Sequence, residues 1–236
     1  MGIRQSHRTT VVSFSGIDGA GKSTQIDALR QHFERRGLTV EVIPFWNRVA
    51  QLTSLREGAG HHIFKGEKGV GSPDKPVNRR DKNVRSWPMS VVRLGLYLLD
   101  AIATRAAVRR ARRSGHGLVI FDRFIYDSLA NLSVRRPGVR AYIRLVMSIV
   151  PQPDVSYILD ADPVQARARK PEYPLEFIYI NRQAYLDLTR QIDGLTVVSP
   201  GPLEQVKAEV LHHALRVSQQ GELLQDEGDM LMEQAS

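Results

Sequence analysis

Residues Gly16 to Thr24 read Gly-Ile-Asp-Gly-Ala-Gly-Lys-Ser-Thr, a glycine, four intervening residues and then Gly-Lys-Ser. That spacing suits one piece of chemistry. Gly16, Gly19 and Gly21 let the backbone bend tightly enough for the N–H groups of Ile17, Asp18, Ala20 and their neighbours to point inward at a polyphosphate. Lys22 adds a cation and Ser23 offers a hydroxyl to Mg²⁺, with Thr24 closing the segment. A glycine-rich turn that holds no nucleotide is the competing reading, and the flanking sequence argues against it. The apolar run Val11-Val12-Ser13-Phe14 precedes the loop as a strand, and Gln25 to Arg36 follows with Ile26, Leu29 and Phe33 at helical spacing. The nucleotide mechanism requires this strand-loop-helix context.

A second group of chemical residues lies at Asp122-Arg123, directly after the continuous apolar run Leu118 to Phe121. A carboxylate at the end of a buried strand can hold a Mg²⁺-bound water beside a phosphate loop, and the adjacent guanidinium can grip a phosphate with two parallel N–H groups. The plainer reading makes both residues caps of a following helix, a role aspartate fills well. In open α/β sheets ligands sit outside the carboxyl ends of strands, which favours the chemical reading.

The rest of the chain supplies the elements that must position these groups. Leu38 to Ile43 alternates and reads as a second strand ending at Pro44, Tyr157 to Leu159 as a further one and Leu195 to Val198 as the last. Helical patterns are expected at about 89–113, 140–150, 177–191 and 203–218, the first stopped by Gly115 and Gly117. Strands alternating with helices predict a three-layer α/β/α domain around a five-stranded parallel sheet. We read one domain over 1–218, with an insertion at about 56–86 and a lid at about 166–176. The segment 56–85 holds eight Lys and Arg against four Asp and Glu, without apolar periodicity. It suits either an acidic-ligand clamp or interface, or a solvated loop.

At 236 residues the chain suffices for one sizeable domain, and it has no cysteine for disulfides or thiolate metal sites. Its net charge of +8 fits an acidic substrate and equally nucleic acid, and charge alone does not choose between them. From position 219 the sequence is acidic and poorly periodic and is expected to be a disordered tail. The apolar stretch 89–103 is broken by Arg93 and Asp100, so it reads as a buried helix rather than a membrane span. No membrane association and a cytoplasmic location are expected.

The chain resembles the thymidylate kinase family of P-loop nucleoside monophosphate kinases. The resemblance rests on Phe14 to Gln25, on Asp122-Arg123-Phe124, and more loosely on Ala166-Arg167-Ala168-Arg169 with Asn181 to Leu186. It implies a P-loop NTPase fold, a transferase that moves the γ-phosphoryl group of ATP to a nucleoside monophosphate with Mg²⁺, and dTMP as the expected acceptor. It also implies an arginine-bearing lid. Because Ala20 stands where some members carry an arginine in the loop, Arg167 and Arg169, with Lys170 beside them, become the lid candidates; the alternative is a basic, solvent-facing helix end. Asp18 occupies the family's acidic position near the acceptor, or else sets the turn. Where the family carries Arg-Glu-Pro-Gly-Gly, this chain has Pro44-Phe45-Trp46-Asn47-Arg48. Arg48 is therefore a candidate for the acceptor phosphate, and Phe45 or Trp46 for stacking on a base. Asp100 falls near the position from which the family offers an arginine to thymine. The acceptor site so read comprises Asp18, Phe45, Trp46, Arg48, Asp100 and Arg123. Dimers are common in the family, which admits a homodimer here.

Two other functions remain open on the sequence. One is a kinase of a nucleoside or another small hydroxyl acceptor, motivated by Trp46 and Asp100, which would need an acidic base. The other is a non-catalytic nucleotide-binding module whose basic loop meets nucleic acid or protein, with salt-sensitive binding to DNA or RNA as its mark. The Asp122-Arg123 pair and the arginine-rich segment weigh against this module, and nucleic acid is not expected as a partner.

Overall fold

The computed structural model describes residues 8–45 and 87–234. Trp46, Arg48 and the 56–86 insertion lie outside the described residues. Within them, five strands alternate with helices: β1 (Thr10–Gly16), α1 (Lys22–Arg35), β2 (Val40–Pro44), α2 (Trp87–Arg112), β3 (Leu118–Asp122), α3 (Ile125–Leu129), α4 (Pro137–Ile149), β4 (Val155–Leu159), α5 (Pro163–Arg169), α6 (Leu175–Thr189), β5 (Leu195–Val198) and α7 (Leu203–Gln234). The strands form one parallel sheet in the order β2-β3-β1-β4-β5.

The inner strands are apolar on both faces because both faces are covered. Val12 and Phe14 of β1, Leu118 and Ile120 of β3, and Tyr157 of β4 pack with Ile26, Leu29 and Phe33 of α1 and with Val210 and Ala214 of α7. Val11, Val119, Phe121 and Ile158 point the other way, into a cluster completed by α2, α3, α4 and α6. These are the three layers expected, and fully burying each Leu, Val, Ile or Phe contributes roughly 1.5–3 kcal/mol before entropy is counted.

Connection order explains where the site must be. From the central β1 the chain steps to β2 at one edge, returns to β3, and crosses β1 to reach β4. The crevice opens where the direction reverses, at the carboxyl end of β1. Register aligns Phe14 of β1 with Asp122 at the end of β3, and Gly16 with Leu159 at the end of β4.

Three helices differ from the sequence expectation: α3 and α5 are not among the expected helical patterns, and α7 runs further than expected. Helix α5 starts with Pro163 at its first position and is capped by Asp162, whose side chain accepts the Gln165 N–H at 2.9 Å. Helix α7 continues to Gln234, over the acidic segment expected to lose order. That stretch is rich in Glu, Leu, Gln and Met, whose intrinsic helix preference is high.

Candidate active site

The loop after β1 takes its shape from three glycines in the left-handed half of backbone space. Gly16 has φ 137° and a Cβ there would meet the Leu159 carbonyl oxygen at 2.4 Å; Gly19 has φ 82° and a Cβ would meet the Ala166 carbonyl oxygen at 2.2 Å. The loop is therefore pressed against the end of β4 on one side and against α5 on the other. Gly21, at φ 90° with open space around it, is the left-handed residue that starts α1.

Lys22, in the first turn of α1, is 8% exposed and donates to the carbonyls of Gly16 at 2.8 Å and Ile17 at 2.9 Å. Burial, reinforced by the nearby charge of Arg123, lowers its pKa to about 8. Ser23 and Thr24 stand exposed beside it at the helix start. Asp122, at the end of β3, is half-buried, and its negative charge acts on Lys22. Neither the Ser23 hydroxyl nor the Asp122 carboxylate makes a side-chain hydrogen bond among the described residues. One hydroxyl and one carboxylate are the hard oxygen donors that suit Mg²⁺ when phosphate oxygens and water complete its shell. No cluster of three or more His, Cys, Asp or Glu that could hold a metal alone occurs among the described residues.

Arg123 is the one non-glycine residue with positive φ, 70°, among the described residues. Its N–H donates to the Phe14 carbonyl at 2.9 Å, which ties it to β1. Its guanidinium bridges two carboxylates, donating from Nη1 to Asp127 at 3.0 Å and from Nη2 to Asp18 of the phosphate loop. Burial alone would lower the pKa of Arg123, but Asp127 and Asp18 outweigh it and raise it. Burial likewise pulls the Asp18 carboxyl up, and the attraction of Arg123, Lys22 and Lys170 prevails, leaving it below the ordinary value. The helix-capping alternative for Asp122 and Arg123 does not describe this arrangement: the α3 cap is made by Asp127, whose carboxylate accepts the Phe124 N–H at 3.1 Å.

From the far side, α5 brings Arg169, which donates to the Gly19 carbonyl at 3.3 Å, and Lys170, 3.8 Å from Asp18 and 3.4 Å from Glu172. Arg167 is exposed, and its side chain makes no hydrogen bond among the described residues. A cleft of about 320 Å³ runs along the same side of the loop, lined by Ala20, Gly21, Thr24, Gln25, Arg169 and Gly201 among others.

The acceptor candidates separate. Asp18 and Arg123 meet; Phe45 does not join them as an open stacking face. It is completely buried in the core cluster shared with α2 and α3, because an aromatic ring without a polar group gains most by leaving water. Asp100 is 2% exposed on α2, close enough to Tyr142 to contribute, after burial and Tyr97, to pushing that phenol up to about 12. Sequence reasoning missed Asp127, Ser15 and Tyr185, which converge behind Arg123, and the Arg182 to Asp160 pair at 2.6 and 2.7 Å. The Arg123 to Asp127 spacing of four residues was the available signal.

Comparison with known proteins bears on this geometry. The family model for "Methylmalonyl Co-A mutase-associated GTPase MeaB" matches residues 3–46, a stretch confined to the phosphate loop and its flanking strands and helix. Similarity over the whole length lies elsewhere. A "Probable thymidylate kinase" of Pyrobaculum aerophilum is 31% identical over 217 residues, spanning 87% of this chain and 96% of that protein. This chain belongs to the thymidylate kinase family. A second probable thymidylate kinase, from Archaeoglobus fulgidus, is 28% identical over 210 residues, covering 85% of this chain and 92% of that protein. The crystal structure of thymidylate kinase from Ehrlichia chaffeensis superposes with a TM-score of 0.56 at 19% identity, over 87% of this chain and 97% of the other, and so shares the fold. Family membership makes the chain a nucleoside monophosphate kinase with ATP as co-substrate. Among the described residues no helix is long and apolar enough to cross a membrane.

Proposed function

We propose that this protein phosphorylates dTMP to dTDP at the expense of ATP. The observation that carries the reading is the convergence of Lys22, Asp18 and Arg123 at the carboxyl end of β1, where two distant motifs contribute cations to one crevice. The loop amides and Lys22 cradle the β- and γ-phosphates, and the rest of ATP extends along the cleft beside Thr24 and Gln25. Ser23 and Asp122 would hold Mg²⁺, directly or through water. When bound, that ion neutralises charge on the phosphate oxygens during transfer. Arg123 exchanges Asp18 for the acceptor monophosphate and sets it in line with the γ-phosphorus. Arg169 and Arg167, on α5, supply positive charge to the equatorial oxygens, and the closed lid keeps out the water that would otherwise hydrolyse ATP. The names of the relatives support dTMP as acceptor.

We further propose a homodimer. The exposed face of α2 carries Val91, Val92, Leu99 and Ile102, each about half exposed, on one stripe with Gly95 and Ala106. A solvent-facing helix normally turns charge outward there. A cytoplasmic site of action accords with nucleotide substrates.

A coupled ADP-release assay over a panel of nucleoside monophosphates and nucleosides tests the function. Turnover with dTMP is expected, dependent on Mg²⁺ and lost in Lys22→Ala; turnover of nucleosides alone, or of no acceptor, refutes the reading.

A further inference from the structure

Asp127 is the most completely engaged carboxylate near the site. Its side chain is 2% exposed, and four donors reach it: the Ser15 hydroxyl at 2.6 Å, the Phe124 N–H at 3.1 Å, Arg123 Nη1 at 3.0 Å and the Tyr185 hydroxyl at 2.8 Å. Two carboxylate oxygens offer about four lone-pair sites, so the group is saturated. Its donors come from three places in the fold: the end of β1 just before the phosphate loop, the Arg123 to α3 turn, and α6. The ring of Tyr185 is buried too, at 5% exposure, and its hydroxyl stays protonated beside the carboxylate.

Arg123 has two carboxylate partners of unlike character. Asp127 is locked from every side. Asp18 has its side chain 25% exposed and lies on the loop that must receive phosphates. An arginine at φ 70° holds an unfavourable backbone conformation, which persists where surrounding contacts over-determine it. Three contacts do so here: the β1 carbonyl of Phe14, Asp127 and Asp18, of which the first two are internal to the fold.

We propose that Asp127, held by Tyr185 and Ser15, is a positioning residue that fixes one edge of the Arg123 guanidinium so that the other edge is free to trade Asp18 for the acceptor phosphate. Asp127 touches no substrate. It acts by removing rotamer freedom from Arg123 before the acceptor arrives, so that little entropy remains to be lost on binding. Tyr185 acts one step further back by holding Oδ1, the same oxygen that receives Arg123. The proposal rests on the reading of Arg123 as the ligand of the acceptor phosphate.

The test is steady-state kinetics of Asp127→Asn and Tyr185→Phe with dTMP and ATP varied separately, together with ¹⁵N NMR of the Arg123 guanidinium, assigned with Arg123→Ala. Asparagine carries a neutral amide whose NH₂ faces donors, so the clamp is lost. The KM for dTMP is expected to rise about tenfold or more in Asp127→Asn, the scale of a hydrogen bond to a charged group, with the KM for ATP changing less than about twofold. Tyr185→Phe, which keeps the buried ring, shifts the dTMP value in the same direction by about threefold. If Asp127→Asn does not fold, Tyr185→Phe decides. Equal changes in both KM values, or no change in either, overturn the proposal. Should the wild type turn over no monophosphate, the functional reading fails by itself, and the clamp is judged from the NMR spectrum: slow guanidinium rotation in the wild type that is lost in Tyr185→Phe sustains it, and rotation unaffected by the substitution overturns it.

Discussion

Raising the pH from 7 to 9 takes the proton from Lys22 in the substrate-free protein, and nucleotide binding must put it back. The pKa of about 8 follows from burial of the ammonium and the neighbouring Arg123, only partly offset by Asp127, Asp18 and Asp122. A bound polyphosphate places negative charge against Nζ and restores the ordinary preference for the cation. At pH 8 roughly half the lysines are neutral before binding and essentially all are charged after it, so uptake of ~0.5 proton per nucleotide is expected, rising to ~0.9 at pH 9. The apparent affinity should fall by about tenfold between pH 7 and 9 through this group. Titration calorimetry of a non-hydrolysable ATP analogue with Mg²⁺, in two buffers of different ionisation enthalpy, measures the uptake directly. Lys22→Met provides the control. Uptake below ~0.1 proton at pH 8, or the same uptake in Lys22→Met, refutes the account.

The same shift has a sign for stability. The folded pKa of Lys22 lies below its unfolded value of 10.5, so between about 8 and 10.5 the unfolded chain binds more protons and this group makes folding more favourable as pH rises. At pH 7 the buried cation costs up to roughly 3 kcal/mol, less whatever its bonds to the Gly16 and Ile17 carbonyls return. The substrate-free Lys22→Met protein is thus expected to melt no lower than the wild type at pH 7 while losing activity.

Two further outcomes separate causes that look alike in the sequence. Gly19→Ala forces a Cβ to 2.2 Å from the Ala166 carbonyl oxygen and should unseat α5, with a large drop in Tm and in turnover, whereas Gly21→Ala meets nothing and should cost only about 1 kcal/mol for its φ of 90°; comparable losses at the two positions would contradict the packing of loop on helix. Leu99→Lys, at the centre of the α2 stripe, should convert a dimer to a monomer in light scattering with Tm changed little, since the side chain is 51% exposed; a wild type that is already monomeric at high concentration removes the dimer proposal.

Much of the architecture was written locally. The phosphate loop, its strand and its helix are coded by a contiguous stretch whose glycines, lysine and apolar spacing each have a single physical use. Strands β3 and β5 were readable as short apolar runs bounded by turn residues, and α2 as a long periodic one. Helix α3 was not legible, because Ile125 to Leu129 is one turn and is buried throughout, so no amphipathic pattern marks it. Helix α5 carried its signal in Asp162-Pro163, a cap followed by a proline, within a segment dominated by arginines.

By itself the sequence determined which chemical groups stand close along the chain: a glycine-rich Gly-Lys-Ser loop at Gly16 to Thr24, a carboxylate and an arginine at the end of a strand, and a basic segment at Arg167 to Lys170. Those are decisions made by residue type over short spacings. Tertiary structure decided which charges meet. Only the sheet order brings Arg123 beside Asp18, 105 residues away, and only the packing of α6 brings the Tyr185 hydroxyl onto Asp127. It also withdrew Phe45 into the core. Burial and long-range pairing depend on how layers stack around the sheet, and no local pattern records that.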